Sequence, residues 1–402
     1  MSEATPGDGP LSGVRVLDFT RVLSGPFATA LLADLGADVL KVEPPQGDDY
    51  RHIGPFREGE SALFQLMNRN KQSLSLDLKQ PGAQALVRRL AQRADVVVEN
   101  FRPGVATRLG IGYEALGADN ERLVYASISG FGQTGPERDR PAFDLVAQAL
   151  SGLMAMTGDP AGPPTKVGES IGDLAAGLYC SWAILAALYE RERTGRGRYM
   201  DIALVDSLVS LLPTAMAQWM FGIHPARTGN RHPLSTPFAA YPARDGYLVI
   251  CVLNGAQFAG LAQCVGAPEL AQDLRYATDE LRTQHEPVLR GIIETWLASH
   301  SVESAVSALS AAGVPAAPVT DPDQVFAGNY VRERAITSDI RHPRLGTIPA
   351  MEQPVHFSGL ARGQQRPAPD LGADGERVVS RWLTVSGAEA RALIAGSQAE
   401  SP

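Results

Sequence analysis

The chain has 402 residues, 44% hydrophobic and 20% charged, with a formal net charge of −8, an ordinary globular composition long enough for two domains. An acidic balance provides no basic surface for nucleic acid and excludes that partner class, while an anionic ligand held by locally gathered arginines and lysines stays open. No unbroken apolar run reaches the roughly 18 residues that cross a bilayer, and the opening MSEATPGDGPLSG lacks the basic start and apolar stretch of a leader, so the expected setting is the cytoplasm, with no membrane partner.

GVRVLDFT is a short β-branched and apolar run, SGPFATALLADLG carries alanines and leucines at helical spacing up to Gly36, and DVLKVE is a second strand. Together they make a βαβ unit. PGAQALVRRLAQRADVVVENF repeats helix then strand, and LVYASISGFG adds a strand that ends in a glycine-rich turn. This alternation predicts a mostly parallel sheet covered by helices, with ligands at the carboxyl ends of the strands. Thr20, Arg21, Glu43, Asn100, Phe101 and Gly130 fall at those ends.

A long helix is expected to start near Asp173, carry leucines and an isoleucine at positions 174, 178, 184, 185 and 188, and stop at a basic turn followed by Gly195. The strand YMDIALVDS follows. Residues 1–212 then form the first part of a large α/β domain, and 213–242, rich in Pro, His and Gly, a linker. Residues 243–330 read as a smaller α/β domain, 331–370 as a return linker, and 371–402 as a terminal helix completing the large domain.

Cys180, Cys251 and Cys264 lack CxxC spacing and the histidines show no HExxH pair, so no metal site is expected. GxGxxG, GxxxxGK[ST] and GxSxG are all absent. Arg21, Arg69, Lys71, Lys79, Arg102, Arg108, Arg138 and Arg140 lie near strand ends and together suit a polyanion such as a phosphorylated adenosine. Asp173 stands in SIGDLAAGLY, between a glycine and small apolar residues. One account makes it a helix N-cap. The other makes it a desolvated oxygen nucleophile, with Gly172, Ala175, Ala176 and Gly177 leaving room for a ligand.

VLDFTRVLSGPFATALLADLGADVLKVEPPQGDDYR, NRNKQSLSLDLK, ADVVVENFRPGVATRLG, ASISGFGQTGP, GDLAAGLYCSWAILAALYERERTGRG, DIALVDS and TGNRHP follow one another in the chain. In their order and spacing they resemble the class III CoA-transferases, the family of formyl-CoA:oxalate CoA-transferase, L-carnitine CoA-transferase and α-methylacyl-CoA racemase. The resemblance implies a large Rossmann-like domain, a smaller α/β domain, two linkers and an interlocked homodimer. It implies that Asp173 attacks an acyl-CoA thioester to form a mixed anhydride and then an aspartyl-CoA thioester. CoA would meet Val22, Leu76, Lys79, Asn100, Phe101, Arg108 and Leu109, as a substrate and with no tightly bound cofactor. Leu23, Arg51, Phe143 and His232 would border the substrate pocket.

Two departures from the family pattern bear on the reaction. Leu23 stands where the oxalate enzymes carry glutamine, which argues against a formyl or oxalyl substrate. Phe143, in AFD, stands where racemases carry a histidine base, and phenylalanine cannot abstract a proton. Asp144 of the same triplet is expected to be structural. The resemblance thus implies transfer of CoA from a donor such as succinyl-CoA to a small carboxylic acid, with mesaconate, citramalate, itaconate and glutarate as candidates. A 2-methylacyl-CoA racemase, or a non-catalytic CoA-binding protein in which Asp173 only caps a helix, are the alternatives.

Overall fold

The computed structural model describes residues 9–360 and 365–398. The chain divides into two compact units: the first holds residues up to Leu153, Lys166–Ala217 and those from Arg332 onward, the second Met154–Thr165 and Gln218–Val331.

In the first unit six parallel strands, β1 (Arg15–Asp18), β2 (Asp38–Glu43), β3 (Gln72–Ser75), β4 (Val96–Glu99), β5 (Val124–Ser129) and β6 (Tyr199–Ala203), lie in the order β3-β2-β1-β4-β5-β6. This is the doubly wound order of a Rossmann sheet, and its winding reverses between β1 and β4. Both faces are covered, so consecutive residues of a strand enter opposite cores. Val16, Val39, Val96, Val98, Val124 and Ala126 pack on one side with α1 (Ser24–Asp34) and the long helix Ile171–Thr194. Leu17, Leu40, Leu74, Val97 and Tyr125 pack on the other with α2 (Pro81–Ala91) and the C-terminal helices. Helix α2 shows the local cause plainly: Pro81 presets the first turn, and Ala83, Leu86, Val87 and Leu90 are buried at helical spacing.

Two helices after β5 position the site, α3 (Asp144–Leu150) and α4 (Ile171–Thr194). Helix α4 starts two residues before Asp173 and closes at Gly195, which sits at φ 72 and donates its N–H to the Arg191 carbonyl. Of the leucines and isoleucine read from the sequence, Ile184 and Leu188 are buried, Leu174 is half-buried, and Leu178 and Leu185 are exposed. Ala175, Ala176, Cys180, Ile184, Ala187 and Leu188 are buried, while Leu178, Trp182, Leu185 and Tyr189 are exposed. Small residues win because they let helices approach: a Cβ on Gly177 would stand 2.7 Å from the Ser24 carbonyl oxygen of α1. By length and composition α4 is apolar enough to cross a membrane. Its interruption by Gly172, Asp173 and Ser181 hid this from a search for unbroken apolar runs.

The second unit carries a three-stranded antiparallel sheet, with β7 (Phe238–Ala243), β8 (Gly246–Cys251) and β9 (Ala316–Pro318) in the order β9-β8-β7. Tyr241, Leu248, Ile250, Leu289, Ile293, Leu297 and Leu309 form its core. Both linkers are more structured than their proline and glycine content suggests. Residues 213–242 contain the helix Pro213–Met220 and most of β7, and 331–370 contain an antiparallel hairpin, β10 (Thr337–His342) with β11 (Gly346–Met351). The terminal segment is two helices, α6 (Gly375–Leu383) and α7 (Gly387–Gln398), after the short α5 (Leu204–Val209).

Candidate active site

The chain leaves β1 and enters α1 beside the point where the sheet's winding reverses, and a set of buried ions fixes that turn. The Asp18 carboxylate accepts from the Thr20 N–H at 2.9 Å, the Thr29 hydroxyl at 2.7 Å and Lys71 Nζ at 3.1 Å. Lys71 also donates to the Pro26 carbonyl and the Asn68 side chain. Lys41 Nζ sits 2.7 Å from Asp48 and donates to the Thr20 carbonyl. Asp48 accepts the Val22 N–H at 3.0 Å and the Tyr50 N–H at 2.9 Å. From the end of β4, Asn100 accepts the Arg21 N–H at 2.9 Å and donates to the Arg21 carbonyl at 2.8 Å.

Between these anchors Val22 is held at φ 67. A β-branched residue rarely takes this left-handed conformation, at a cost of about 1–3 kcal/mol that the surrounding bonds must offset. Burial raises the Asp18 carboxyl, but Lys71 and Lys41 outweigh it and hold the group below its ordinary value. Burial likewise pushes Lys71 down, to about 8.

Asp173 is built differently. It is the third residue of α4, half-buried, and Ser170 occupies the N-cap position. Burial first, then the neighbouring Asp144, push its carboxyl up to about 7, while a hydrogen bond with Ser24 acts in the opposite direction. Ser24 opens α1, and its hydroxyl oxygen lies 3.4 Å from the Asn100 side-chain nitrogen. The Tyr50 phenol is pushed up to about 12 by burial and then by Asp173, Asp48 and Glu169. No cation among the described residues contributes at Asp173, in contrast to the paired ions under the β1 turn.

Helix capping falls to another residue. Asp144, in the first turn of α3, accepts the Gly172 N–H at 2.7 Å, so Asp144 has the structural role expected of it. Gly172 does not open the backbone to a ligand: a Cβ there would meet Asp144 Oδ1 at 3.0 Å and Leu208 Cδ1 at 3.1 Å. Together with Ala175, Ala176 and Gly177, it seats the helix.

Val22, Leu23, Asn100 and Asp173 converge around the ends of β1 and β4 through the contacts of Ser24 and Arg21. Leu76 is fully buried, and Phe101 and Leu109 pack partly buried against the same core. The Arg21 guanidinium lies 5.9 Å over the Phe101 ring. Lys79 and Arg108 are exposed, Arg108 at the end of the short helix Val105–Arg108.

Several expected roles change. Arg51 is taken up by a two-pronged ion pair with Glu43, a bond to the Pro369 carbonyl and stacking 3.8 Å over Phe64, which makes it a structural brace. Arg69 pairs with the buried Asp34, Lys71 with Asp18, and Arg138 and Arg140 with Asp139 and Glu137, so the basic cluster narrows. Leu23 is buried at the N-cap of α1, and Phe143 is 73% exposed at the N-cap of α3. His232 lies in the second unit, where its Nδ1 accepts the Leu234 N–H and its ring packs 5.3 Å from Phe238.

Ser24, Asp48, Tyr50 and Glu99 were not legible as site residues. Glu99 is buried, its carboxyl pushed up to about 7 by burial, and it accepts the Phe101 N–H at 2.8 Å and the Ser127 hydroxyl. The one sequence signal was a charge ending the apolar run VVVE. It supports the Asn100–Phe101 loop from beneath.

The Rossmann sheet places beside its switch point a carboxylate that has no cation partner among the described residues. The chain belongs to CoA-transferase family III, whose model matches residues 11–375. It is 42% identical over 381 residues to acetyl-CoA:oxalate CoA-transferase of Acetobacter aceti, covering 93% of this chain and 97% of that one. It is 39% identical over 385 residues to succinate–glutarate CoA-transferase of Agrobacterium fabrum, covering 94% and 96%. A crystal structure of a CAIB/BAIF family protein from Brucella suis superposes with a TM-score of 0.82 at 36% identity, covering 93% of this chain and 99% of that chain.

Proposed function

We propose that this CoA-transferase moves CoA from a donor such as succinyl-CoA to a small dicarboxylic acid, with Asp173 as the nucleophile. The observation that carries this is a half-buried carboxylate with no counter-cation on the first turn of α4, pushed up to about 7 by burial and Asp144. A desolvated, basic carboxylate attacks a thioester carbonyl better than a solvated one. Attack forms an aspartyl–acyl anhydride as the C–S bond breaks and CoA thiolate leaves. The thiolate returns to the aspartyl carbonyl, releasing the donor acid and leaving aspartyl-CoA thioester. The acceptor carboxylate then repeats the two steps in reverse order, and Asp173 emerges unchanged.

The oxyanions of these additions need donors other than the Arg21 and Val22 N–H groups, which Asn100 and Asp48 already engage. Helix α1 begins without a side-chain cap, and of its first turn Pro26 has no N–H and Phe27 donates to the Leu23 carbonyl, so the Ser24 and Gly25 N–H groups are suited to that role. Exposed Lys79 and Arg108 suit the CoA phosphates, and Leu76, Phe101 and Leu109 the wall beside them. One relative is named for oxalate, so oxalate joins the acceptors to be tested although Leu23 argues against it. Racemisation is disfavoured, since Phe143 offers no second base.

We further propose the interlocked homodimer of the family. Leu178, Trp182, Leu185 and Tyr189 form an exposed apolar stripe along one side of α4, a surface that calls for a partner. Light scattering is expected to give twice the chain mass.

Asp173→Ala is expected to lower succinyl-CoA-dependent transfer roughly 10,000-fold or more while the fold and CoA binding persist. Hydroxylamine added during turnover is expected to label Asp173. Transfer at the parental rate in the alanine variant would remove the reading, and a panel of oxalate, glutarate, citramalate and mesaconate identifies the acceptor.

A further inference from the structure

Helices α3 and α4 belong to the first unit, yet the chain between them, Met154–Thr165, belongs to the second. No local stretch of sequence therefore ties the nucleophile's helix to its neighbour. Side chains do so at three points. Fully buried Gln148 accepts the Val167 N–H at 2.9 Å and donates to the Glu169 carbonyl at 3.2 Å. Its amide also donates to Asp144 Oδ2 at 2.8 Å, and Asp144 Oδ1 accepts the Gly172 N–H at 2.7 Å. Val167, Glu169 and Gly172 are thus each referenced to α3.

We propose that Asp144 is a positioning residue for the nucleophile, holding the first turn of α4 against α3 at Gly172 and placing a second carboxylate beside Asp173. The proposal rests on Asp173 as the nucleophile. The two functions are separable in chemistry, because an amide oxygen can accept the Gly172 N–H without carrying charge, at the cost of the acceptor that faces Gln148.

A neighbouring negative charge disfavours ionisation of a carboxyl, and a more basic carboxylate is the stronger nucleophile once ionised. The groups that face Asp173 from the surrounding elements are Asp144 on α3, the Ser24 hydroxyl on α1 and Tyr50 in the turn Asp49–His52. From α5, Leu208 packs at the adjacent Gly172. After burial, Asp144 is the group that raises Asp173, and the Ser24 hydroxyl acts in the opposite direction.

The test compares Asp144→Asn and Asp144→Ala, using succinyl-CoA and glutarate for activity and 13C-aspartate NMR for titration of Asp173 in the free protein. In the asparagine variant the Asp173 resonance and the acid limb of kcat/KM are expected to move to lower pH, with a melting temperature lowered less than in the alanine variant because the bond to Gly172 is kept. In the alanine variant, which also loses the bond to Gly172, kcat is expected to fall about tenfold or more with little change in KM for the thioester. An unmoved Asp173 titration in the asparagine variant, or a rise in KM without loss of kcat in the alanine variant, overturns the proposal. Activity in Asp173→Ala would instead overturn the nucleophile itself, so the two failures are told apart.

Discussion

Two carboxylates on the two sides of one turn are treated in opposite ways. Asp18, beneath the β1 turn, is wholly buried and is compensated by Lys71, Lys41 and two threonine hydroxyls. Asp173, beside that turn, is only half-buried and has one hydroxyl and another carboxylate for company. Burial raises both groups; pairing reverses the effect at Asp18 and nothing reverses it at Asp173. The difference teaches how the fold assigns tasks. Paired buried ions hold Val22 at its left-handed angle, while Asp173 is left without a cation partner among the described residues and basic.

The contrast can be broken most severely at Lys71. Lys71→Met leaves Asp18 buried without its nearest cation, and a loss of about 3–5 kcal/mol in unfolding free energy is expected by urea titration. A change below about 1 kcal/mol would mean that the buried pair does not organise the turn.

The opposite sign is expected at Asp173. Its folded pKa, about 7 against 3.8 for the model carboxyl, means that the native state binds this proton more tightly. The associated stability is fully present below the unfolded value and is lost as pH rises through about 7. Asp173→Asn is therefore expected to be inactive yet more stable at pH 8, on the order of 1–3 kcal/mol, with the advantage disappearing near pH 4. Equal melting temperatures across that range would contradict an uncompensated carboxylate. In the parent enzyme, kcat/KM is expected to fall as pH drops through about 7, the acid limb on which the Asp144 variants act.

The smallest effect belongs to the link between the two regions. Asn100 bridges the Arg21 backbone and approaches Ser24. Asn100→Ala is expected to cost about 1 kcal/mol of stability and to lower kcat more than it raises KM for the thioester. A pure KM effect would make Asn100 a ligand contact only.

How much of this was legible in the sequence follows from what each element depends on. Strands β1, β2, β4 and β5 were visible because a sheet buried on both faces demands continuous apolar runs, and their carboxyl ends marked Asn100 and Phe101. Asp173 stood out as a charge at the start of an apolar helix. The buried face of its helix was only partly legible, because close packing against α1 selects Ala175, Ala176 and Gly177 over Leu178 and Leu185. Lys71 and Arg69 resembled phosphate ligands because their partners, Asp18 and Asp34, lie 53 and 35 residues away in sequence. The hairpin of β10 and β11 was hidden by Pro343, Gly346 and Pro349, residues that mark loops unless pairing is seen.

The C-terminal helices carry one more implication. Val378, Val379, Trp382 and Ala390 complete the core over Leu17, Leu40 and Leu74, and the Trp382 indole donates to Asp38 of β2 at 2.7 Å. Strands β1 and β2 are thus roofed by residues such as Trp382, 344 positions after its partner Asp38. Until those helices have been synthesised that side of the nascent sheet stays greasy and uncovered, so the polypeptide is expected to lean on holding chaperones up to that point.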